Sequence, residues 1–155
     1  MKGRISKLSA VALASAIGFA TLATLVQAAD PISERREAMK GNGKAMKAIN
    51  TALENGGSAA ELAPHANQIN DTAMKLATLF PAGTDQPQGK DPGHTMAKPE
   101  IWQKPDDFAA AVKKFQEEAA MFKTAVAGGD MGVIKAEFEK LGGACGSCHK
   151  AFRAK

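Results

Sequence analysis

Both cysteines of this 155-residue chain fall near its C-terminus, in the run Cys145-Gly146-Ser147-Cys148-His149. Three chemistries use such a cluster. Two thiols at that spacing cycle as a redox disulfide when they open a helix that follows a strand, because the helix dipole lowers the thiol pKa there. They can supply part of a structural zinc site, which needs four ligands. They can also add across the two vinyl groups of a haem and carry the adjacent histidine under the iron as its axial ligand. Beyond the cluster only His65 and His94 offer further soft donors for zinc. Covalent haem employs all three residues.

The elements that must position the cluster read as helix throughout. Asp30 followed by Pro31 is an N-cap with proline at the first helical position, and Gly56-Gly57 closes the segment. Within it Ile32, Met39, Met46 and Leu53 recur every seven residues, with Ala38, Ala45, Ile49 and Ala52 on the same face. Ser58 and Glu61 form a capping box for a second helix, striped by Leu62, Ala66, Ile69, Ala73, Leu76 and Phe80 and stopped by Pro81. Pro64 lies early in it, where proline bends or shortens a helix.

A third helix starts near Pro105 and carries Phe108, Val112, Phe115, Ala119, Phe122 and Val126 to Gly128-Gly129. Asp130 caps the fourth, whose stripe of Met131, Ile134, Phe138 and Leu141 continues into Cys145, Cys148 and Phe152. There is no tyrosine and no run of alternating apolar residues, so a disulfide motif behind a strand has no strand to follow. The class is all-α: an antiparallel, up-down-up-down four-helix bundle with one covalently attached haem. Between the second and third helices Pro81 to Lys104 holds four prolines and no periodicity, a length at which loops are functional or disordered. The charge runs at 113–114 and 117–118 are expected on a solvated face with i,i+4 pairing.

The first residues imply export. Lys2, Arg4 and Lys7 precede an apolar run from about Leu8 to Leu25, and Val26-Gln27-Ala28 offers small residues for cleavage. Residues 1–28 are therefore expected to be a secretory signal peptide and 29–155 the mature haem domain, exported to the periplasm and without stable membrane insertion after cleavage. Removal of the leader's three basic side chains lowers the formal charge from +4 to +1, so no nucleic-acid footprint is expected.

On these residues the chain resembles the cytochrome c′ family, the class II c-type cytochromes. The resemblance is carried by "ACGSCHKAFR" at the end, "KPEIW" at 98–102 and "RREAMKGNG" in the first helix, and spans nearly all of the mature chain. It implies one haem c per chain on Cys145 and Cys148, with His149 as the proximal ligand. Most members of the family leave the sixth position empty behind an apolar residue, giving a high-spin haem that binds small gases. A low-spin subgroup fills it with a methionine of the first helix, and "AMKGNG" is most similar to that subgroup, which makes Met39 the distal candidate. Arg35 matches the family's propionate-binding arginine, Arg36 can share that role, and Arg153 matches an arginine of the proximal side. Family members often pair through their first two helices, which leaves a homodimer open.

Bundle geometry gives a separate estimate of the sixth position. At about 1.5 Å rise per residue, His149 lies roughly 6–9 Å from its end of the bundle, and Met39 roughly 12 Å up the first helix. Met46 is about 10 Å higher. Met74 has a suitable height but sits beside its stripe; Met96 and His94 lie in the long loop. Met39 can equally line an open distal pocket without ligating. The expected function is a periplasmic one-electron carrier working with other redox proteins, and the alternative is a five-coordinate binder of NO or CO. No acid–base pair or nucleophile marks an enzyme, and a peroxidase-like haem would draw on His94 or Arg35 for a polar distal group.

Overall fold

A computed structural model describes residues 30–85 and 95–155. The leader expected at 1–28 and the candidate His94 lie outside the described residues. The helices are α1 (Pro31–Glu54), α2 (Ala59–Lys75), a one-turn α3 (Glu100–Gln103), α4 (Pro105–Gly128) and α5 (Met131–Phe152). The four long ones form the bundle.

Their ends follow from local chemistry. The Asp30 carboxylate accepts from the Ile32 and Ser33 amides at 3.3 and 3.1 Å, and Asp130 does the same for Gly132 and Val133 at 2.8 and 3.1 Å. Gly129 ends α4 with φ 78°, a left-handed conformation that glycine adopts without steric penalty. The α2 helix passes through Pro64 and then tightens into a 3₁₀ turn at Leu76–Leu79, earlier than the expected stop at Pro81.

The stripes meet in one core of Ile49, Leu62, Ile69, Phe115, Phe122, Ile134 and Leu141, all buried. Close packing runs from α1 to α2, from α2 to α4 and from α4 to α5. The fourth side, between α1 and α5, has no comparable interface. At the end of the bundle that holds the CxxCH turn, Phe80, Phe108 and Phe152 stack edge to face at 5.0 and 5.3 Å, with Trp102 beside them.

Two expectations need correction. The segment from Pro81 to Lys104 is not structureless over its second half: Ala97 bridges Arg153 in antiparallel fashion, and α3 follows at once. One bridge and one helical turn are too short to produce apolar periodicity. Glu118 does not belong to a solvated face either. It is 2% exposed, because its position three residues after Phe115 and four before Phe122 puts it on the core stripe. One of its oxygens pairs with Lys114 and the other, Oε2, has no partner. Among the described residues no helix is long and apolar enough to cross a membrane.

Candidate haem-attachment site

Helix α5 is a weak helix by composition where its chemistry lies. Gly142, Gly143 and Gly146 each forfeit about 1 kcal/mol of helix propensity against alanine. Tertiary contacts compensate: Leu141, Ala144 and Phe152 are buried, and Cys145 and Cys148 pack half-buried against the core rather than inside it, as their place on the stripe had suggested. Cys145 and Cys148 form no disulfide with each other. Burial raises both thiol pKa values, and the nearby Cys148 raises that of Cys145 further. His149 is exposed; partial shielding, followed by the charge of Arg153, lowers its pKa and favours the neutral imidazole that ligates metals.

Which flank of α5 faces α1 follows from Met46. Its Cε lies 3.9 Å from where a Cβ on Gly142 would stand. His149 is seven residues beyond Gly142, nearly two turns, and so occupies the same flank about 10.5 Å lower. Met39 is seven residues before Met46 on the antiparallel helix, displaced by the same amount in the same direction. Met39 and His149 are thus level with each other, to within about a turn, across the one side of the bundle where the helices do not pack. Cys148 lies on the other side of α5's core stripe, on a groove of about 520 Å³ shared with Lys104 and with Asp107 and Lys114 of α4.

Met39 on α1 and Cys145, Cys148 and His149 on α5 are the residues that would hold a haem here, Met39 and both cysteines half-buried against the core. A Cβ on Gly43, Gly143 or Gly146 would meet nothing within 4 Å, so their smallness is not needed for helix packing. Asn42, buried one turn from Met39, has an Oδ1 with no partner, which marks polar demand at this level of α1. No group of three or more His, Cys, Asp or Glu side chains among the described residues is arranged to hold a metal ion alone. An iron here would therefore depend on its porphyrin.

The other sequence candidates are placed less well. Met74 is 67% exposed, on the outside of α2. Met96 has its Sδ 3.7 Å from the Arg153 guanidinium, beyond the end of α5. Arg36 is exposed on α1, and Arg153 is exposed at the end of α5, its amide bonded to the His149 carbonyl at 3.0 Å.

Arg35 is in an environment the sequence did not disclose. It is 3% exposed; Nη1 donates to Leu79 O at 3.4 Å and Thr84 Oγ1 at 2.7 Å, while Nη2 donates to Thr84 O and, at 2.6 Å, to Thr95 Oγ1. Its guanidinium lies over the Phe80 ring at 5.1 Å, a cation–π contact. Burial lowers its pKa, opposed by Asp30 and Asp85. Thr95 carried no signal in the sequence, since a threonine in a proline-rich loop belongs to no periodic pattern. Trp102, expected where the loop re-enters the bundle, donates Nε1 to the Phe80 and Pro81 carbonyls at 3.2 and 3.1 Å.

Comparison with known proteins bears on this geometry. The family model described as cytochrome c′ matches residues 30–153. A cytochrome c′ of Rhodospirillum rubrum is 34% identical over 92% of this chain and 96% of its own length. A cytochrome c-554 of Cereibacter sphaeroides is 36% identical over 64% of this chain and 79% of its own. The solved structure of a cytochrome c′ with ligand-controlled dimer dissociation superposes with a TM-score of 0.75 at 30% identity, covering 83% of this chain and all of that one.

Proposed function

The chain belongs to the cytochrome c′ family and binds haem c covalently, and on that premise we propose that it is a periplasmic one-electron carrier with His149 and Met39 on the two faces of the iron. Cys145 and Cys148 form the thioethers. The observation that carries the proposal is the common level of Met39 and His149 on facing flanks of α1 and α5, at the side of the bundle left without close packing.

When bound, the haem supplies a couple that gains or loses one electron. His149 contributes a neutral imidazole, favoured by its lowered pKa. Met39 contributes a thioether, which raises the reduction potential relative to an oxygen or nitrogen donor. Two fixed protein ligands mean that neither oxidation state needs to bind or release one. Arg36 and Arg153 offer positive charge to the haem carboxylates from either helix. Arg35, the family's candidate for the same purpose, spends Nη1 and Nη2 on Leu79, Thr84 and Thr95.

Residues 1–28 direct export and are removed, and the partners are periplasmic redox proteins. The gas-binding alternative draws support from the half-buried state of Met39, which packs on the core as a pocket wall also would. Electron paramagnetic resonance of the ferric protein at neutral pH separates the two. The carrier gives a low-spin signal; a high-spin signal overturns it.

A further inference from the structure

The helices bearing Met39 and His149 share no closely packed interface, and their contact at Met46 and Gly142 lies nearly two turns from the level of Met39 and His149. A hydrogen-bonded path joins them through one side-chain atom. The Oγ1 of Thr95 accepts from Arg35 Nη2 at 2.6 Å and from the Ala97 amide at 3.1 Å. Arg35 is one turn before Met39 on α1. Ala97 bridges Arg153, four residues after His149. Around that bridge the Lys98 amide donates to Phe152 O at 3.0 Å and the Ala154 amide to Met96 O at 2.8 Å. Lys98 Nζ also reaches the carbonyls of Lys150 and Ala151, both at 3.3 Å, capping the end of α5. The strap is anchored in the interior, because Thr95, Ala97 and Arg35 are all buried.

We propose that Thr95 is a positioning residue: the strap at Thr95–Lys98 ties α1 to the end of α5 and fixes the spacing across which Met39 reaches the iron. The proposal rests on the Met39 ligation put forward above. Valine at residue 95 keeps the shape but removes the acceptor, leaving Arg35 Nη2 and the Ala97 amide without this partner. Serine keeps it.

The test compares Thr95→Val and Thr95→Ser holoproteins with the parent by two readouts. One is the rate of carbon monoxide uptake by the ferrous protein. The other is the distance distribution between nitroxide labels on Lys40→Cys and Lys150→Cys, exposed positions one residue from Met39 and His149. The strap predicts that Thr95→Val takes up the gas roughly tenfold faster, the scale of losing a hydrogen bond to a charged group. Its label distances should also lengthen or broaden, while Thr95→Ser stays near the parent in both. An unchanged label distribution in Thr95→Val overturns the proposal whatever the gas does, as does a lowered unfolding midpoint with unchanged uptake. A parent that is already high-spin removes the Met39 ligation instead, and the label distances still decide whether Thr95 sets the spacing.

Discussion

Met46 and Gly142 meet across the otherwise unpacked side of the bundle, the methionine methyl 3.9 Å from the place of a glycine Cβ. That contact marks the register of α1 against α5, and one heptad further toward the C-terminal end of α5 Met39 comes level with His149. A side chain added at residue 142 sits in ordinary contact with Met46, so Gly142→Ala should be tolerated. Gly142→Leu should push α1 and α5 apart at this level and disturb the haem spectrum. An unaltered spectrum in Gly142→Leu would show that this contact does not set the register.

Haem attachment should survive denaturation. After unfolding in acid and organic solvent the colour should remain with the polypeptide, and Cys145→Ala/Cys148→Ala should lose it. Extraction of free haem from the parent would contradict thioether attachment.

The half-buried thiols give the haem-free chain a pH dependence of definite sign. Their folded pKa values lie above the ordinary 9.0, so the stabilising contribution of the protonated forms is complete below that value. It is lost as pH rises through the folded pKa values, because the unfolded state releases its protons first. Urea unfolding of haem-free protein should show a midpoint that falls between pH 8 and pH 10. The fall should be smaller in Cys145→Ala/Cys148→Ala; an equal fall would assign it to other groups.

Glu118 places a carboxylate oxygen in the core without a partner. Replacing it with leucine should leave stability unchanged or raise it by about 1–4 kcal/mol, as when other buried ionic groups are exchanged for apolar ones of similar volume. Thermal unfolding of the holoprotein checks this. A loss of more than about 2 kcal/mol would mean that the Lys114–Glu118 pair outweighs the desolvation of the carboxylate.

The sequence disclosed what repeats. Heptads in α1 and the 3–4 stripes of α2, α4 and α5 announce four helices, and the CxxCH spacing announces its chemistry without reference to the fold. It did not disclose what depends on single contacts. Arg35 reads, by resemblance, as a propionate-binding arginine one turn from Met39, yet four backbone and hydroxyl oxygens from residues 79–95 and the Phe80 ring enclose it. Glu118 reads as half of an i,i+4 pair, and the same spacing puts it on the Phe115–Phe122 stripe. The order at Thr95–Lys98 comes from pairing with Arg153, more than fifty residues away, which no local pattern encodes.

Export should be visible in the mature mass. Periplasmic protein should begin at or near Ala29 and carry one haem. A chain that retains Lys2 to Gln27 and fractionates with membranes would replace the cleaved leader with an anchor.

The electron-carrier function depends most directly on what Met39 does at the iron. Carbon monoxide uptake by the ferrous protein measures it, because a bound thioether must leave before the gas can enter. The parent should have the sharp, split visible bands of low-spin haem and take up the gas slowly. Met39→Ala should be high-spin, bind the gas readily and remain folded, since such a replacement costs about 2–5 kcal/mol and His149 and both thioethers are untouched. A parent that is high-spin and binds carbon monoxide as fast as Met39→Ala would contradict the electron-carrier account and make Met39 the wall of a gas-binding pocket.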